Sequence, residues 1–463
     1  MIKFGTGGWR AIIAEDFTKE NLQKLTQAIC MEITQPQIII GYDRRFLSDL
    51  ASKWIAEVFA GNHVDVLFIN KAIPTPIIMF AINKLDLEYG VAVTASHNPA
   101  SYNGVKLFTR GGRDATEMFT NKLESNLSKV KEIKMIDFEE GIDTGKIKYF
   151  SPQNDYIDSI LAFVNTKAIR NANLKVLIDT MHGVSKTSLS IILNTARCDV
   201  DVINDRHDTL FGGKLPSPSS ATLHKLSEMV RLESYHMGIA TDGDADRIGI
   251  IDERGNFIHP NILISLIYYY LLEYKGWKGA AVRNLSTTHL IDKIALDHGE
   301  EVIETAVGFK HITAGMEQHN ALIGGESSGG LTIRGHIHGK DGIFAAALLV
   351  EMISVTKKHI SELVDDLYKT YGKLYVGENA YHFNENKKQQ ILKLLMIDKA
   401  IPNFKKEVEK INYMDGFKIY FKDGSWASAR FSGTEPLLRI FTEADSIETN
   451  NEYINILESF LDL

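Results

Sequence analysis

The sequence contains very little cysteine. Cys30 and Cys198 are the only two thiols among 463 residues, and they lie far apart in the chain. This scarcity excludes a disulfide framework and the closely spaced thiols of a zinc site, and it is typical of a reducing compartment. The first ten residues, MIKFGTGGWR, lack a basic stretch followed by an apolar run, so we expect no secretory signal and a cytoplasmic location.

Long hydrophobic runs and an excess of positive charge are also missing. The longest apolar stretch, ILISLIYYYLLEY at 262–274, contains Glu273 and is too short to cross a bilayer, so we expect a buried helix and no membrane partner. The chain has 51 basic and 59 acidic residues and a net charge of −8, which argues against a nucleic-acid partner. Its 44% hydrophobic and 24% charged residues are typical of a globular protein.

Short runs of β-branched residues alternate with helical patterns along most of the chain. A strand at 37–43, a helix at 49–62 and a strand at 64–70 follow one another, and the same rhythm restarts near 174 and 279. This alternation predicts α/β units with largely parallel sheets. Residues 140–150 are interpreted as a polar link, and the last part of the chain has fewer such signs. The predicted units are 1–150, 151–255, 256–368 and 369–463.

Three aspartates stand at alternate positions in TDGDADR, between two apolar runs. Carboxylates about 5 Å apart repel by roughly 3 kcal/mol at an effective dielectric of ~20, so Asp242, Asp244 and Asp246 need a cation or must turn into water. Oxygen ligands favour Mg²⁺, Mn²⁺ or Ca²⁺. A solvated acidic turn is the alternative. An EF-hand ending at Glu253 is disfavoured, because Arg247 stands where that loop needs glycine and the flanks resemble strands.

A serine follows the strand predicted at 90–96, in the segment TASHNPASYNGVK. Ser96 is expected at an exposed bend at the end of that strand, where open α/β sheets bind ligands. It could act as a nucleophile with His97 as base, although adjacent side chains rarely adopt that geometry. It could also carry a phosphoryl group neutralised by a cation in the acidic turn, or simply cap a helix. A competing motif, GESSG at 325–329, would make Ser327 the nucleophile of an esterase.

Two further segments combine glycine or small hydroxyl residues with arginine. The first is FGTGGWR, which ends in Arg10, and the second is ARFSGTEPLLRIFTEA at 429–444. Small residues in a turn offer N–H and hydroxyl donors to an anion, and arginine adds charge-assisted bonds. On an acidic chain, the two segments together indicate a phosphorylated ligand.

Together the segments GTGGWR, TASHNPASYNGVK, TDGDADR, GGESSG and RFSGTEP resemble the α-D-phosphohexomutase superfamily, which includes phosphoglucomutases and phosphomannomutases. They occur in the order and at separations similar to those of the family. The resemblance implies four domains around a central cleft. Three would be related α/β domains with mixed sheets, and the fourth a smaller C-terminal α+β domain of the TATA-box-binding-protein-like type.

The resemblance also implies roles for individual residues. Ser96 would be the phosphoserine, and its oxygen would bind Mg²⁺ together with Asp242, Asp244 and Asp246. Near the reacting phosphoryl group would lie His97, Arg10 and Lys106, the last a general acid/base whose pKa nearby positive charge would lower. The substrate-binding residues would be Arg247, Lys310, Glu326, Ser328, Arg430, Ser432, Gly433, Thr434 and Arg439. Several relatives have Gly-His where this chain has Gly329 and Gly330.

The activity implied by the resemblance is a phosphoglucomutase that interconverts glucose 1-phosphate and glucose 6-phosphate. Ser96 would give its phosphoryl group to the sugar and recover one from its other end, with glucose 1,6-bisphosphate as intermediate and activator. Alternatives are a phosphomannomutase, a dual-specificity enzyme or a phosphoglucosamine mutase. From another class, a non-catalytic protein that binds Ca²⁺ or a sugar phosphate remains open. We expect a monomer or a homodimer.

Overall fold

The computed structural model describes residues 2–5, 7–432 and 437–463. The described strands form four sheets that follow one another along the chain, with helices between them. The four units predicted from the rhythm of the sequence therefore correspond to four sheet-bearing parts of the molecule.

The first unit contains a seven-stranded sheet with the order β1-β5-β4-β2-β3-β7, and β6 pairs with β5. Its strands are β1 (Trp9–Ile12), β2 (Gln37–Tyr42), β3 (Asp65–Phe68), β4 (Tyr89–Val93), β5 (Tyr102–Thr109), β6 (Arg113–Asp114) and β7 (Ile147–Tyr149). Its helices are α1 (Lys19–Cys30), α2 (Ser48–Gly61), α3 (Thr75–Lys84), α4 (Glu117–Leu127) and α5 (Phe138–Asp143). Because β7 pairs with β3, the interpretation of 140–150 as a polar link was wrong.

The second unit has a five-stranded sheet with the order β12-β11-β10-β8-β9. Its strands are β8 (Lys175–Asp179), β9 (Asp199–Ile203), β10 (Met237–Thr241), β11 (Ile248–Ile251) and β12 (Phe257–Ile258). Its helices are α6 (Gln153–Phe163), α7 (Thr166–Ala172), α8 (Lys186–Thr195) and α9 (His224–Leu232), and a 3₁₀ turn lies at Phe211–Gly213.

The third unit has a four-stranded sheet with the order β14-β13-β15-β16. Its strands are β13 (Ala281–Asn284), β14 (Val302–Thr305), β15 (Ile323–Gly325) and β16 (Leu331–Ile333). Its helices are α10 (Pro260–Glu273), α11 (Leu290–Asp297), α12 (Phe309–His319), α13 (Gly342–Thr356) and α14 (Ile360–Tyr371).

One strand order is repeated in these three units. Four successive strands are arranged as β5-β4-β2-β3, β11-β10-β8-β9 and β16-β15-β13-β14. In each set the three strands that come first in the sequence are parallel to one another. The strand that comes fourth in the sequence is antiparallel to the third. The loop between the third and fourth strands therefore occupies the same place in every unit. It carries Ser96 in the first unit, the three aspartates in the second and the GESSGG segment in the third.

The fourth unit differs from the others and confirms the expected smaller α+β domain. Its sheet is antiparallel throughout, in the order β17-β21-β20-β19-β18. The strands are β17 (Tyr375–His382), β18 (Val408–Asn412), β19 (Phe417–Phe421), β20 (Trp426–Phe431) and β21 (Leu437–Ala444). Its helices are α15 (Glu385–Leu392) and α16 (Ile447–Leu461), with a π-helical turn at Lys393–Ile397.

One continuous apolar core joins the first three units, while the first unit has a second core and the fourth has a core of its own. The shared core runs from α3 through α10 to α13. Since α10 and α13 are apolar on nearly every face, they are stable only when surrounded by other elements, as observed. The buried helix predicted at 262–274 is thereby confirmed. Within the described ranges, no helix combines the length and apolar character that would let it cross a membrane.

Candidate active site

Ser96 lies where the first unit meets the second. It follows β4, its φ is +51°, and its side chain is buried. The hydroxyl donates a hydrogen bond to Oδ2 of Asp242 at 2.7 Å, and Nδ1 of His97 lies 3.3 Å from Oγ. The exposed bend expected from the sequence is therefore wrong, because the turn of the second unit covers the serine. Two motifs far apart in the sequence meet at this hydroxyl.

The acidic turn between β10 and β11 gathers three carboxylates. One oxygen from each of Asp242, Asp244 and Asp246 lies within 4.8 Å of the others, and all three residues are buried. Gly243 permits the approach, since a Cβ at that position would lie 2.7 Å from the carbonyl oxygen of Ser96. Burial, followed by the charges of Asp244 and Asp246, raises the pKa of Asp242 well above its usual range. Ionising all three buried carboxylates in this turn is therefore energetically unfavourable unless a cation compensates their charge.

The carboxylates of this turn fit a divalent cation. Among the residues that the structure describes, Oδ1 of Asp244 and Oδ1 of Asp246 are buried and have no hydrogen-bond partner. Buried charged oxygens are normally paired, and all-oxygen sites suit Mg²⁺. The strands on both sides of the turn exclude the EF-hand, whose loop is flanked by helices, and the burial of all three aspartates excludes a solvated turn.

Lys106 supplies positive charge to the same turn. Its Nζ donates to Oδ2 of Asp244 at 2.6 Å and to Oδ2 of Asp246 at 2.7 Å. Burial alone would lower the pKa of Lys106, but the two carboxylates outweigh it and raise that pKa above its usual value. The charge of Arg10 does lower this pKa, as expected of nearby positive charge, but the two carboxylates are closer and the net shift is upward. Lys106 is therefore a fixed cation in this arrangement rather than a ready proton acceptor.

Two arginines and a neutral histidine complete the surroundings of Ser96. Nη1 of Arg10, on β1, donates to Oδ1 of Asn98 at 2.6 Å. The backbone N–H of Arg247 donates to Oδ1 of Asp242 at 3.1 Å. Burial, then the charges of Arg247 and Arg10, lowers the pKa of His97 well below its usual value. His97 therefore stays neutral near Ser96.

The sequence reasoning missed Lys340, which also reaches this cluster. Its Nζ lies 3.4 Å from Oδ2 of Asp246, and its side chain is only 12% exposed. The stem fills the space beside Gly330, since a Cβ there would lie 2.3 Å from Cδ of Lys340. The sequence contains the pair Gly329 and Gly330, but it does not show that the Lys340 side chain packs into the space left by the missing Cβ of Gly330.

Thr75 was missed as well. It lies at the start of α3, and its hydroxyl donates to Oδ2 of Asp244 at 2.7 Å. Its backbone N–H donates to the Asp244 carbonyl oxygen at 3.0 Å. The adjacent Thr-Pro, TP at 75–76, is a helix-start signal, yet it does not reveal a partner in another unit.

The loop after β15 presents a carboxylate and a hydroxyl. Ser328 is exposed, and its Oγ donates to Oε1 of Glu326 at 2.8 Å. Glu326 is buried, and Nδ2 of Asn284 donates to its other oxygen at 3.3 Å. Within the described part of the chain, no histidine ring is hydrogen-bonded to the Ser327 hydroxyl, so the esterase interpretation has no general base.

Lys310 and Arg430 contact carboxylates outside the Ser96 cluster. Nζ of Lys310, on α12, lies 3.2 Å from Oε2 of Glu117 in the first unit. Nε of Arg430 donates to Oδ2 of Asp415 at 3.2 Å, and the same oxygen accepts the Val307 N–H at 3.0 Å. Arg430 therefore lies beside the segment that leads into Lys310.

Arg430 and Arg439 of the predicted phosphate loop lie on neighbouring strands of the fourth unit. Arg439 on β21 is the register partner of Arg430 on β20, and its Nη1 donates to Oε1 of Glu378 at 3.1 Å. The Ser432 N–H donates to the Leu437 carbonyl oxygen at 2.8 Å. Gly433 and Thr434 lie outside the described residues.

Sequence profiles of one family match almost the whole chain. The profile described as phosphoglucomutase/phosphomannomutase, alpha/beta/alpha domain I, matches residues 1–134. Those of domains II and III match 154–255 and 259–371, and that of the C-terminal domain matches 389–457. The matched segments follow the order of the four sheets.

Individual relatives agree with the profiles. A protein named phosphoglucomutase/phosphomannomutase from Thermococcus kodakarensis is 31% identical over 98% of this chain and 97% of its own. A protein named phosphoglucosamine/phosphogalactosamine mutase from Sulfurisphaera tokodaii is 29% identical over 99% of both chains. The open form of parafusin, a phosphoglucomutase from Paramecium, has the same fold with a TM-score of 0.82 at 22% identity, covering 100% of this chain and 95% of that one.

Proposed function

The chain belongs to the phosphoglucomutase/phosphomannomutase family of mutases, and from that premise we propose that it interconverts glucose 1-phosphate and glucose 6-phosphate through a phosphorylated Ser96. The observation that carries the proposal is the hydrogen bond between the Ser96 hydroxyl and Asp242, inside a ring of cationic side chains. A serine so placed can exchange a phosphoryl group while its charge is balanced from several sides.

The reaction proceeds in two transfers. In the first, the bond between phosphorus and Oγ of Ser96 breaks, a bond from phosphorus to a free sugar hydroxyl oxygen forms, and the proton of that hydroxyl ends on Ser96 Oγ, giving a bisphosphorylated sugar. In the second, Ser96 recovers the phosphoryl group from the other end of the sugar. We propose glucose 1,6-bisphosphate as this intermediate and as the activator that first loads the serine.

Charge balance is the main contribution of the protein to each transfer. The transferring phosphoryl group spreads negative charge over its oxygens, and fixed cations stabilise it with little reorganisation. Lys106, Arg10, Arg247 and Lys340 supply that charge from the first three units. Asp242, Asp244 and Asp246, with the Ser96 oxygen, would hold Mg²⁺, which supplies further positive charge when bound. His97 stays a hydrogen-bond partner of Ser96 Oγ, because its lowered pKa makes it a weak base.

Substrate recognition would come from the third and fourth units. Glu326 and Ser328 offer a carboxylate and an exposed hydroxyl suited to the hydroxyls of a sugar. Lys310 would contribute to the choice of sugar after leaving Glu117. The remaining phosphate would be held by Arg430, Ser432, Gly433, Thr434 and Arg439, an assignment supported by the facing arginines of β20 and β21.

A second candidate is a phosphoglucosamine mutase. The relative named phosphoglucosamine/phosphogalactosamine mutase covers the full length of the chain, and the buried carboxylate of Glu326 could pair with an amino group as readily as with a hydroxyl. A phosphomannomutase or an enzyme of dual specificity would use the same catalytic centre, so only turnover separates these candidates.

The test compares three substrates and two variants. Purified protein with Mg²⁺ and a trace of the matching bisphosphate is given glucose 1-phosphate, mannose 1-phosphate or glucosamine 1-phosphate, and 6-phosphate formation is followed by phosphorus NMR. We expect the highest kcat/KM with glucose 1-phosphate, and glucosamine 1-phosphate as best substrate would favour the second candidate. Ser96→Ala should abolish turnover, and Ser101→Ala, a control in the same loop with an exposed side chain, should not.

Intact-mass analysis supplies an independent readout. The wild-type protein and Ser101→Ala should gain one phosphoryl mass after incubation with the bisphosphate, and Ser96→Ala should gain none. Full turnover by Ser96→Ala would overturn the phosphoserine role. Absence of both turnover and the mass shift in the wild type would favour a non-catalytic binding protein instead.

A further inference from the structure

Arg45 is a buried arginine directly behind the loop that carries Ser96. It follows β2, only 3% of its surface is exposed, and none of the motifs found in the sequence includes it. The ring of Phe211, from the second unit, lies 4.9 Å from the guanidinium carbon and shields it from water. An arginine kept this dry needs hydrogen-bond acceptors for its donors.

The two terminal nitrogens of the guanidinium donate four hydrogen bonds, each to a different backbone carbonyl oxygen of one loop. The acceptors and distances are Pro99 O at 2.8 Å and Tyr102 O at 2.9 Å from Nη1, and Ser96 O at 2.7 Å and Asn98 O at 2.6 Å from Nη2. A planar fork with fixed donors can satisfy four acceptors at once, whereas an ammonium group has only three donors on a flexible stem. The group therefore fixes the path of the loop from Ser96 to Tyr102.

The other side of the Ser96 backbone is held by the same network. The Ser96 N–H donates to Oγ1 of Thr94 at 2.8 Å, and the Thr94 hydroxyl donates to Oδ2 of Asp43 at 2.6 Å. Oδ1 of Asp43 accepts the backbone N–H of Arg45 at 2.9 Å. A closed circuit thus runs from the Ser96 N–H through Thr94, Asp43 and Arg45 back to the Ser96 carbonyl oxygen.

This circuit accounts for the backbone conformation of Ser96. Its φ of +51° lies in the left-handed region, which residues with a side chain rarely adopt and which persists only where the surroundings impose it. In this conformation the Ser96 hydroxyl reaches Asp242. Phosphoryl transfer depends on the position of the reacting oxygen, so the device that sets this backbone also sets the geometry of the reaction.

We propose that Arg45 is a positioning residue, whose four-carbonyl contact presets the Ser96 loop for phosphoryl transfer, a role that rests on the proposed function of Ser96. Arg45 does not touch the transferring group and acts through the loop backbone. Its charge alone is not enough, because the loop needs the planar arrangement of donors.

The test compares Arg45→Lys and Arg45→Met with a matched control, Arg44→Met. Arg44 is the neighbouring residue, and its guanidinium contacts the Asp205 carbonyl oxygen at the boundary with the second unit. We expect kcat to fall about 100-fold in both Arg45 variants, with KM for the sugar phosphate nearly unchanged. Arg44→Met should keep the wild-type kcat.

Hydrogen exchange gives a readout that does not depend on turnover. Amides of residues 96–104 should exchange faster in Arg45→Lys than in the wild type, and Arg44→Met should leave them unchanged. Thr94→Val, which keeps the side-chain shape but removes both hydrogen bonds of the hydroxyl, should also lower kcat and loosen this loop. Arg45→Lys and Thr94→Val decide the question if Arg45→Met does not fold.

The outcomes separate this inference from the proposed function. Wild-type kcat in Arg45→Lys would overturn the inference, as would a lower kcat without faster exchange in the loop. If the wild type turned over none of the three sugar phosphates while Arg45→Lys loosened the loop, the proposed function would fail and the role of Arg45 in fixing the loop would stand.

Discussion

Two clusters of buried charge lie at boundaries between units, and they differ in how completely their oxygens are paired. One joins the first and second units and consists of Asp242, Asp244 and Asp246 with Lys106. The other joins the third and fourth units and is centred on Glu304 of β14 and Lys418 of β19. In both clusters, the ammonium group of a lysine in one unit contacts a carboxylate of another unit.

In the cluster at Glu304, both oxygens of that carboxylate are paired. One oxygen of Glu304 accepts from Nζ of Lys418 at 2.8 Å and from Nη1 of Arg283 at 2.6 Å, and the other accepts from the Tyr420 hydroxyl. Nζ of Lys418 also donates to the Leu285 carbonyl oxygen at 2.7 Å. These contacts join the third unit to the fourth.

The cluster at Asp242 has too few donors for its oxygens. The ammonium of Lys106 is shared by Asp244 and Asp246, and one oxygen of each lacks a hydrogen-bond partner among the described residues. Natural proteins tolerate such a shortage mainly where a ligand or a reaction requires it. Single unpaired carboxylate oxygens also occur at Glu351 and Glu443, so the acidic turn is distinguished by having two of them within one cluster of three carboxylates.

The largest effect should come from Asp242→Asn, which removes one charge with almost no change in shape. Turnover should fall about 1,000-fold or more, since the variant weakens both the metal site and the hydrogen bond to Ser96. Thermal stability in EDTA should not fall, because burial and two neighbouring carboxylates already oppose the charge of Asp242.

The measurements are kcat and the melting temperature with and without Mg²⁺. A ligand that binds only the folded state raises the melting temperature, so Mg²⁺ should stabilise the wild type and have little effect on Asp242→Asn. An equal rise for both proteins would contradict the assignment of the acidic turn as the metal site.

Lys418→Met should have the opposite signature. Glu304 would keep Arg283 and Tyr420 but lose its lysine partner, so the unfolding free energy should fall by about 3 kcal/mol. The kcat of the folded protein should stay close to that of the wild type, since Lys418 lies in the other cluster. The measurement is urea denaturation followed by circular dichroism, together with the mutase assay.

Lys422→Met is the matched control for this prediction. Lys422 follows β19 and pairs with Glu407 in solvent, so its loss should change stability by about 1 kcal/mol or less. A control as destabilised as Lys418→Met would show that burial of the pair is not the cause.

The sequence revealed those parts of the site that lie on single short segments. Asp242, Asp244 and Asp246 stand at alternate positions, and Ser96 follows a strand and precedes Asn-Pro, so local pattern was enough to select them. The rhythm of strands and helices likewise predicted four units. What local pattern could not supply was the common strand order that places the three loops equivalently.

Residues whose role depends on distant partners escaped the sequence reasoning. Arg45 acts on carbonyl oxygens that begin about fifty positions later, and a backbone acceptor leaves no trace in residue identity. Lys340 fills the space beside Gly330, which only the folded chain brings near. The net upward shift in the pKa of Lys106 was not foreseen, because tertiary structure places two carboxylates closer to it than Arg10.

The smallest predicted effect concerns the pH dependence of the Glu304 cluster. His289 lies within it, and its Nε2 lies 3.1 Å from Nζ of Lys418. Burial, followed by the charges of Arg283 and Lys418, lowers the pKa of His289 to about 3. Between pH 6.5 and 3 the unfolded chain therefore binds a proton that the folded protein does not, so stability is lost as the pH falls.

His289→Gln isolates this contribution, because the other groups of the cluster remain. The wild type should lose about 2 kcal/mol more than the variant between pH 7 and pH 5, as measured by urea denaturation at each pH. His319→Gln, at an exposed position on α12, should follow the wild type. An unchanged slope in His289→Gln would mean that His289 already binds its proton in the folded state. In that case burial and the charges of Arg283 and Lys418 would not keep His289 neutral in the folded protein.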